Sequence, residues 1–73
     1  MTGPGLGDRW LAGERIDGVA FAHNEAVEVV TGRLTGQLGT VVLLMAVSPE
    51  PLYLVATDAG DARVRQSELR AAH

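Results

Sequence analysis

Residues 27–47 read V-E-V-V-T-G-R-L-T-G-Q-L-G-T-V-V-L-L-M-A-V. Val27 and Val29 point one way and Glu28 the other, the period-two signature of a half-buried strand. Glycines at 32, 36 and 39 mark a loop, and residues 40–47 follow as a strand that is apolar on both faces. A surface or edge strand would alternate, so this one is covered on both sides. The spacing predicts Val41, Leu43, Met45 and Val47 lining an interior, with Val42, Leu44 and Ala46 facing outward. Either the N-terminal segment folds over that outer face, or a second subunit does.

Downstream, 48–51 (S-P-E-P) is a rigid connection, because proline lacks a ladder donor and holds the preceding residue extended. Residues 52–57 (L-Y-L-V-A-T) form the next strand. Residues 58–61 (D-A-G-D) form a hairpin turn, with Gly60 free to take positive φ. Residues 62–66 alternate again, with Val64 inward and Arg63 and Arg65 outward. Residues 67–69 form one short helical turn whose Leu69 pins the end of the barrel. Short strands separated by turn signals imply a small barrel or sandwich.

Upstream, residues 1–13 read as a flexible N-terminal arm, since the first eight contain three glycines and a proline. Residues 14–73 read as one domain. Trp10 is the only tryptophan and is expected to pack on the barrel or on a neighbouring chain. Val19 and Phe21 share a strand face, so 14–22 is expected to be a short strand or an extended wrap rather than a helix, ending in the polar turn His23-Asn24-Glu25.

Seventy-three residues make one marginal core, which small domains reinforce with disulfides, a metal or a partner. There is no cysteine, and His23 and His73 are far apart, so association is the remaining aid. No metal and no cofactor are expected. The net charge is −3, and all six basic residues are arginine. An acidic chain lacks the broad positive field that attracts nucleic acid or anionic membrane. No run reaches the roughly 18 apolar residues of a membrane span. The first residues lack a signal peptide's basic and apolar regions, so the expected location is cytoplasmic.

At Gly32-Arg33-Leu34-Thr35-Gly36-Gln37-Leu38-Gly39-Thr40-Val41 the chain resembles the KOW motif, in which alternating valines precede a loop G-x-x-x-G-x-x-G-x-V. The likeness covers residues 25–71. It implies an all-β fold, a small SH3-like (KOW-type) barrel of about five strands with an extended N-terminal segment. Such barrels occur in ribosomal proteins and NusG-like transcription factors, where they bind RNA or protein. Many ribosomal members carry several basic residues in this loop, whereas here there is only Arg33. The plasmid-encoded type II dihydrofolate reductases are also similar in length and strand order. They use a lysine and a Val-Gln-Ile-Tyr segment; this chain has no lysine and reads Asp61-Ala62-Arg63-Val64 there, so that activity is not carried over.

The remaining polar groups have structural readings. The loop glycines serve turn geometry, because a phosphate loop would lead into a helix and carry a lysine. Asp58 and Asp61 are turn formers and fall short of the six or more ligands of a calcium loop. His23 has no nucleophile or orienting partner in the pattern and reads as a turn histidine. Arg33, Arg63 and Arg65 are the candidate contacts for nucleic acid or an acidic partner, unless they form a solvated face paired with Glu28 or Glu68. Trp10, Leu11, Val42 and Leu44 are the candidate interface. The expected function is a non-enzymatic interaction module acting through protein contacts or homo-oligomerisation, with RNA binding as the alternative.

Overall fold

The computed structural model describes residues 5–72. Five antiparallel strands form one sheet in the order β4-β3-β2-β1-β5: β1 (Ala26–Val29), β2 (Leu38–Ala46), β3 (Leu52–Thr57), β4 (Gly60–Arg65) and β5 (Leu69–Ala71). A 3-10 turn, η1 (Gln66–Glu68), joins β4 to β5, and a short helix α1 (Leu6–Leu11) precedes the sheet. The fold is the expected small all-β, barrel-like one.

The alternation of β1 is as expected. Val27 and Val29 are buried, while Glu28 turns outward to meet Arg70 of β5. The loop after β1 closes where the Val29 N–H donates to Gln37 O and the Gly36 N–H to Val29 O. Gly32 and Gly36 take φ of +90° and +92° there, the region that favours glycine. Gly39 answers a different need, because a Cβ at that position would lie 2.7 Å from both Ala56 O and Val55 Cγ1.

Strand β2 departs from the expected phase. Its pairing with β3 runs Val41↔Val55, then Leu43↔Leu54, Leu44↔Tyr53 and Ala46↔Leu52, so Val42 and Met45 are skipped at two bulges. Each bulge adds a residue to one strand only and resets which face follows. Val41 is buried as expected, but Leu43 and Met45 are 40% and 44% exposed rather than lining the interior. Leu44, expected outside, packs against the core. Val42, Ala46 and Val47 are half-buried.

The core comprises Trp10, Phe21, Val27, Val29, Val41, Tyr53, Val55, Val64 and Leu69. Two of these come from the N-terminal segment. A six-residue helix is too short to persist alone, and α1 is held by Trp10, which is 2% exposed and donates its indole N–H to Phe21 O at 2.8 Å. The expectation of a flexible arm over 1–13 is therefore corrected from Leu6 onward; residues 1–4 of that arm lie outside the described residues. Beyond the helix, 14–22 forms neither the expected short strand nor a helix but a wrap broken by a turn at Asp17-Gly18, where the Val19 N–H donates to Ile16 O, and Phe21 is buried edge-on against Tyr53.

Candidate functional site

The strand registers assign the outer face of the sheet row by row. One row runs Leu43–Leu54–Arg63, the next Ala46–Leu52–Arg65, and a third Ala26–Thr40–Ala56–Asp61. The inner rows, Val41–Val55–Ala62 and Leu44–Tyr53–Val64, carry the core. Residues on neighbouring strands and one face stand about 5 Å apart and act as a unit. The outer face is thus mainly apolar along β2 and β3 and carries Asp61, Arg63 and Arg65 along β4. Leu38, at the start of β2, is 61% exposed.

Arg33, Arg63 and Arg65 are all exposed, and none of the three forms an ion pair among the described residues. The expected alternatives of pairing with Glu28 or Glu68 are not realised. Glu28 accepts both Nε and an NH2 of Arg70, at 2.9 and 2.7 Å. Glu68 Oε1 accepts the main-chain N–H of Arg65 at 3.2 Å. Arg33 and Arg63 converge on one open groove of about 160 Å³, over a floor that includes Val29, Leu34 and Val64, with Glu68 at its wall. Strands β1 and β4 are not neighbours in the sheet, so this groove lies at the seam where the sheet curls.

The four apolar candidates do not form one surface. Trp10 is buried and Leu44 packs inward, so neither is available to a partner. Val42 is half-buried, and Leu11 is 43% exposed on α1. The exposed apolar side chains that sequence reasoning missed are Leu6, Leu38, Leu43 and Met45, the last two displaced outward by the bulges.

A second hollow, of about 540 Å³, lies under the N-terminal wrap between Trp10 and Glu25. Arg9 holds Glu14 beside it at 3.1 Å. His23 is exposed and places its ring edge-on to Trp10, with centroids 5.5 Å apart. The Ser67 hydroxyl donates to Glu50 at 3.0 Å. Asp58 sits in the turn before β4 and Asp61 on the strand. Among the described residues no group of three or more His, Cys, Asp or Glu could hold a metal ion, and no helix is long and apolar enough to cross a membrane.

One polar side chain that sequence reasoning passed over is Gln66. Its Oε1 accepts the Tyr53 hydroxyl at 2.5 Å and the Ala20 N–H at 2.8 Å, and its Nε2 donates to Gly18 O at 3.0 Å. Burial holds the Tyr53 hydroxyl above its ordinary pKa. Hydrogen bonds with the main chain at Phe21 and Ala20 offset part of that rise, and the charge of Glu25 adds to it. Compared with protein-family models, curated proteins and solved structures, the chain matches none.

Proposed function

We propose that this chain is a non-enzymatic interaction module whose outer sheet face binds another protein or a second copy of itself. The observation that carries this is the row Leu43–Leu54–Arg63 with its neighbour Met45: exposed apolar side chains on β2 beside arginines that form no ion pair among the described residues. Interface cores are apolar with arginine enriched, and that is the composition of this face. The Ser67 hydroxyl donates to Glu50, and His23 packs edge-on against Trp10.

A photo-crosslinking side chain at position 43, introduced in the cell that expresses the protein, tests this reading. Discrete protein adducts at 43 and none at the exposed control position 17 are expected. Adducts to RNA alone, or equal labelling at both positions, would overturn it.

A second reading, an RNA-binding module of KOW type, has one observation in its favour: Arg33, in the glycine loop, shares a groove with Arg63. Phosphate contacts release counterions, so RNA affinity would fall steeply between low and moderate salt. RNA affinity that does not change with salt would remove this reading.

A further inference from the structure

Strand β4 ends the sheet on one side and pairs only with β3 among the described residues. The direction of its free amides follows from Glu68. The Arg65 N–H donates to Glu68 Oε1 rather than to β3. In an antiparallel ladder, main-chain groups alternate between the partner strand and the open edge. Arg63 and Asp61, two and four residues earlier, therefore turn their N–H and C=O groups to the same open edge. Glu68 blunts that edge at Arg65, as proteins commonly do with exposed strands, and leaves it open at Arg63 and Asp61.

The side chains at this edge specify what would fit. Arg63 lies on the outer face and Val64 on the inner one. The groove beside them holds two arginines, Arg33 and Arg63, against one carboxylate, Glu68, over apolar Val29, Leu34 and Val64. In a strand added alongside β4, the residue opposite Arg63 would stand about 5 Å away on the same face. Its neighbour would project inward over the groove floor. A carboxylate suits the first position, since guanidinium–carboxylate pairs are short and bidentate. An aliphatic side chain suits the second.

We propose that β4 accepts an extended acidic segment of a partner protein as a sixth strand, with acidic and aliphatic residues alternating, hydrogen-bonded to the main chain of Asp61 and Arg63 and held by Arg33 and Arg63. This rests on the interaction-module reading and names its partner's chemistry. Main-chain bonds supply affinity in such strand addition and alternate side chains supply specificity.

The test is a fluorescence-anisotropy titration of the full chain with fluorescein-labelled Ser-Glu-Val-Glu-Val-Glu-Ser. The comparison probes are its lysine-for-glutamate counterpart, a backbone N-methylated form and labelled oligouridine. Binding of the glutamate peptide alone is expected. R63E or R33E should weaken it about tenfold or more, the loss of one charge-assisted hydrogen bond. R63E should in turn gain affinity for the lysine peptide. N-methylation should abolish binding, and peptide addition should shift the NMR amide signals of Asp61 and Arg63 in the unmutated protein, a readout that survives if a variant misfolds. Equal binding of the N-methylated peptide, preference for oligouridine, or indifference to both charge reversals would overturn the proposal. Failure here with protein adducts retained at position 43 overturns strand addition alone; failure of both removes the module reading too.

Discussion

The Tyr53 hydroxyl donates to Gln66 Oε1 at 2.5 Å, and through Gln66 the barrel holds main-chain atoms 46 and 48 residues earlier, at Ala20 and Gly18. Tyr53 is fully buried in the inner row and Gln66 stands at the exit of β4. The pair therefore clamps the N-terminal wrap to the end of the sheet. Trp10, bonded to Phe21 O, fixes the same wrap from its other side. Two of the nine core residues come from this segment, so the clamp bears on folding as well as on local order.

Tyr53 makes alkaline stability a clean measurement. The chain has one tyrosine, no cysteine and no lysine, so it has no other residue type whose reference pKa lies between about 9 and 12. Burial first, then the charge of Glu25, disfavours the phenolate, and the folded pKa stands above the unfolded one despite the opposing main-chain hydrogen bonds. The native state thus holds this proton more tightly. Its contribution is complete below about pH 10 and is lost as pH rises through the folded value. Urea midpoints should be flat up to about pH 10 and fall above it. Tyr53→Phe should cost about 1 kcal/mol at pH 8 and flatten the alkaline limb; a limb of unchanged slope would show that Tyr53 is not its source.

Gln66→Ala should release the wrap. Three hydrogen bonds go at once, which costs about 2 kcal/mol. The Arg15–Ile16 bond lies in the exposed part of the wrap, so trypsin should cut there much faster in the variant. Cleavage after Arg63, within β4, should rise only with the global loss of stability. Equal acceleration at both sites would mean that Gln66 stabilises the whole barrel rather than clamping the segment.

The strands of this fold were legible where the side chains alternate. Val27 and Val29 around Glu28, and Val64 between Arg63 and Arg65, each state their own face. The run T-V-V-L-L-M-A-V does not, because every frame of it is apolar, and the bulges at Val42 and Met45 change no residue type that would announce them. That is why Leu43 and Leu44 exchanged faces between sequence and structure. Helix α1 was hidden by its glycine-rich neighbours, since only the burial of Trp10 makes six residues helical. Gln66 gave no signal, because its partners at Gly18 and Ala20 are main-chain atoms, alike at any residue type. The outward set of Arg63 and Arg65 could be read from β4 alone, whereas their lack of carboxylate partners required knowing that Glu28 takes Arg70 and Glu68 takes the Arg65 amide.

The loop glycines separate two costs. Gly36→Ala meets no atom within 4 Å but must hold φ of +92°, a strain of about 1–2 kcal/mol. Gly39→Ala has no such dihedral, yet its methyl would press on Ala56 O and Val55 Cγ1 at 2.7 Å. Those atoms belong to a paired strand and cannot retreat without breaking the β2–β3 ladder, so the loss should exceed about 2 kcal/mol. Thermal melts of both variants check the order, and a more stable Gly39→Ala would count against the close approach of β2 and β3.

Adjacent residues on β2 should respond oppositely to one charge. Leu44 packs on the core beside Tyr53, so Leu44→Glu drives a carboxylate among apolar side chains with no partner and should cost about 3 kcal/mol or more. In a domain this small, with about 4–11 kcal/mol of total stability, that is a large fraction of it and should lower the melting temperature sharply. Leu43 is 40% exposed in the row with Leu54 and Arg63. Leu43→Glu should shift stability by only about 0.5 kcal/mol, and the new carboxylate lies on the face that carries Arg63. Binding through this face should nevertheless fall, because burying one leucine at an interface is worth about 1.5–3 kcal/mol. Circular-dichroism melts of the two variants, with crosslinking yield from an adjacent probe at Met45, separate folding from binding. If Leu43→Glu unfolds the protein while Leu44→Glu does not, the bulge after Val41 is misplaced and the outer face belongs to the other set of side chains.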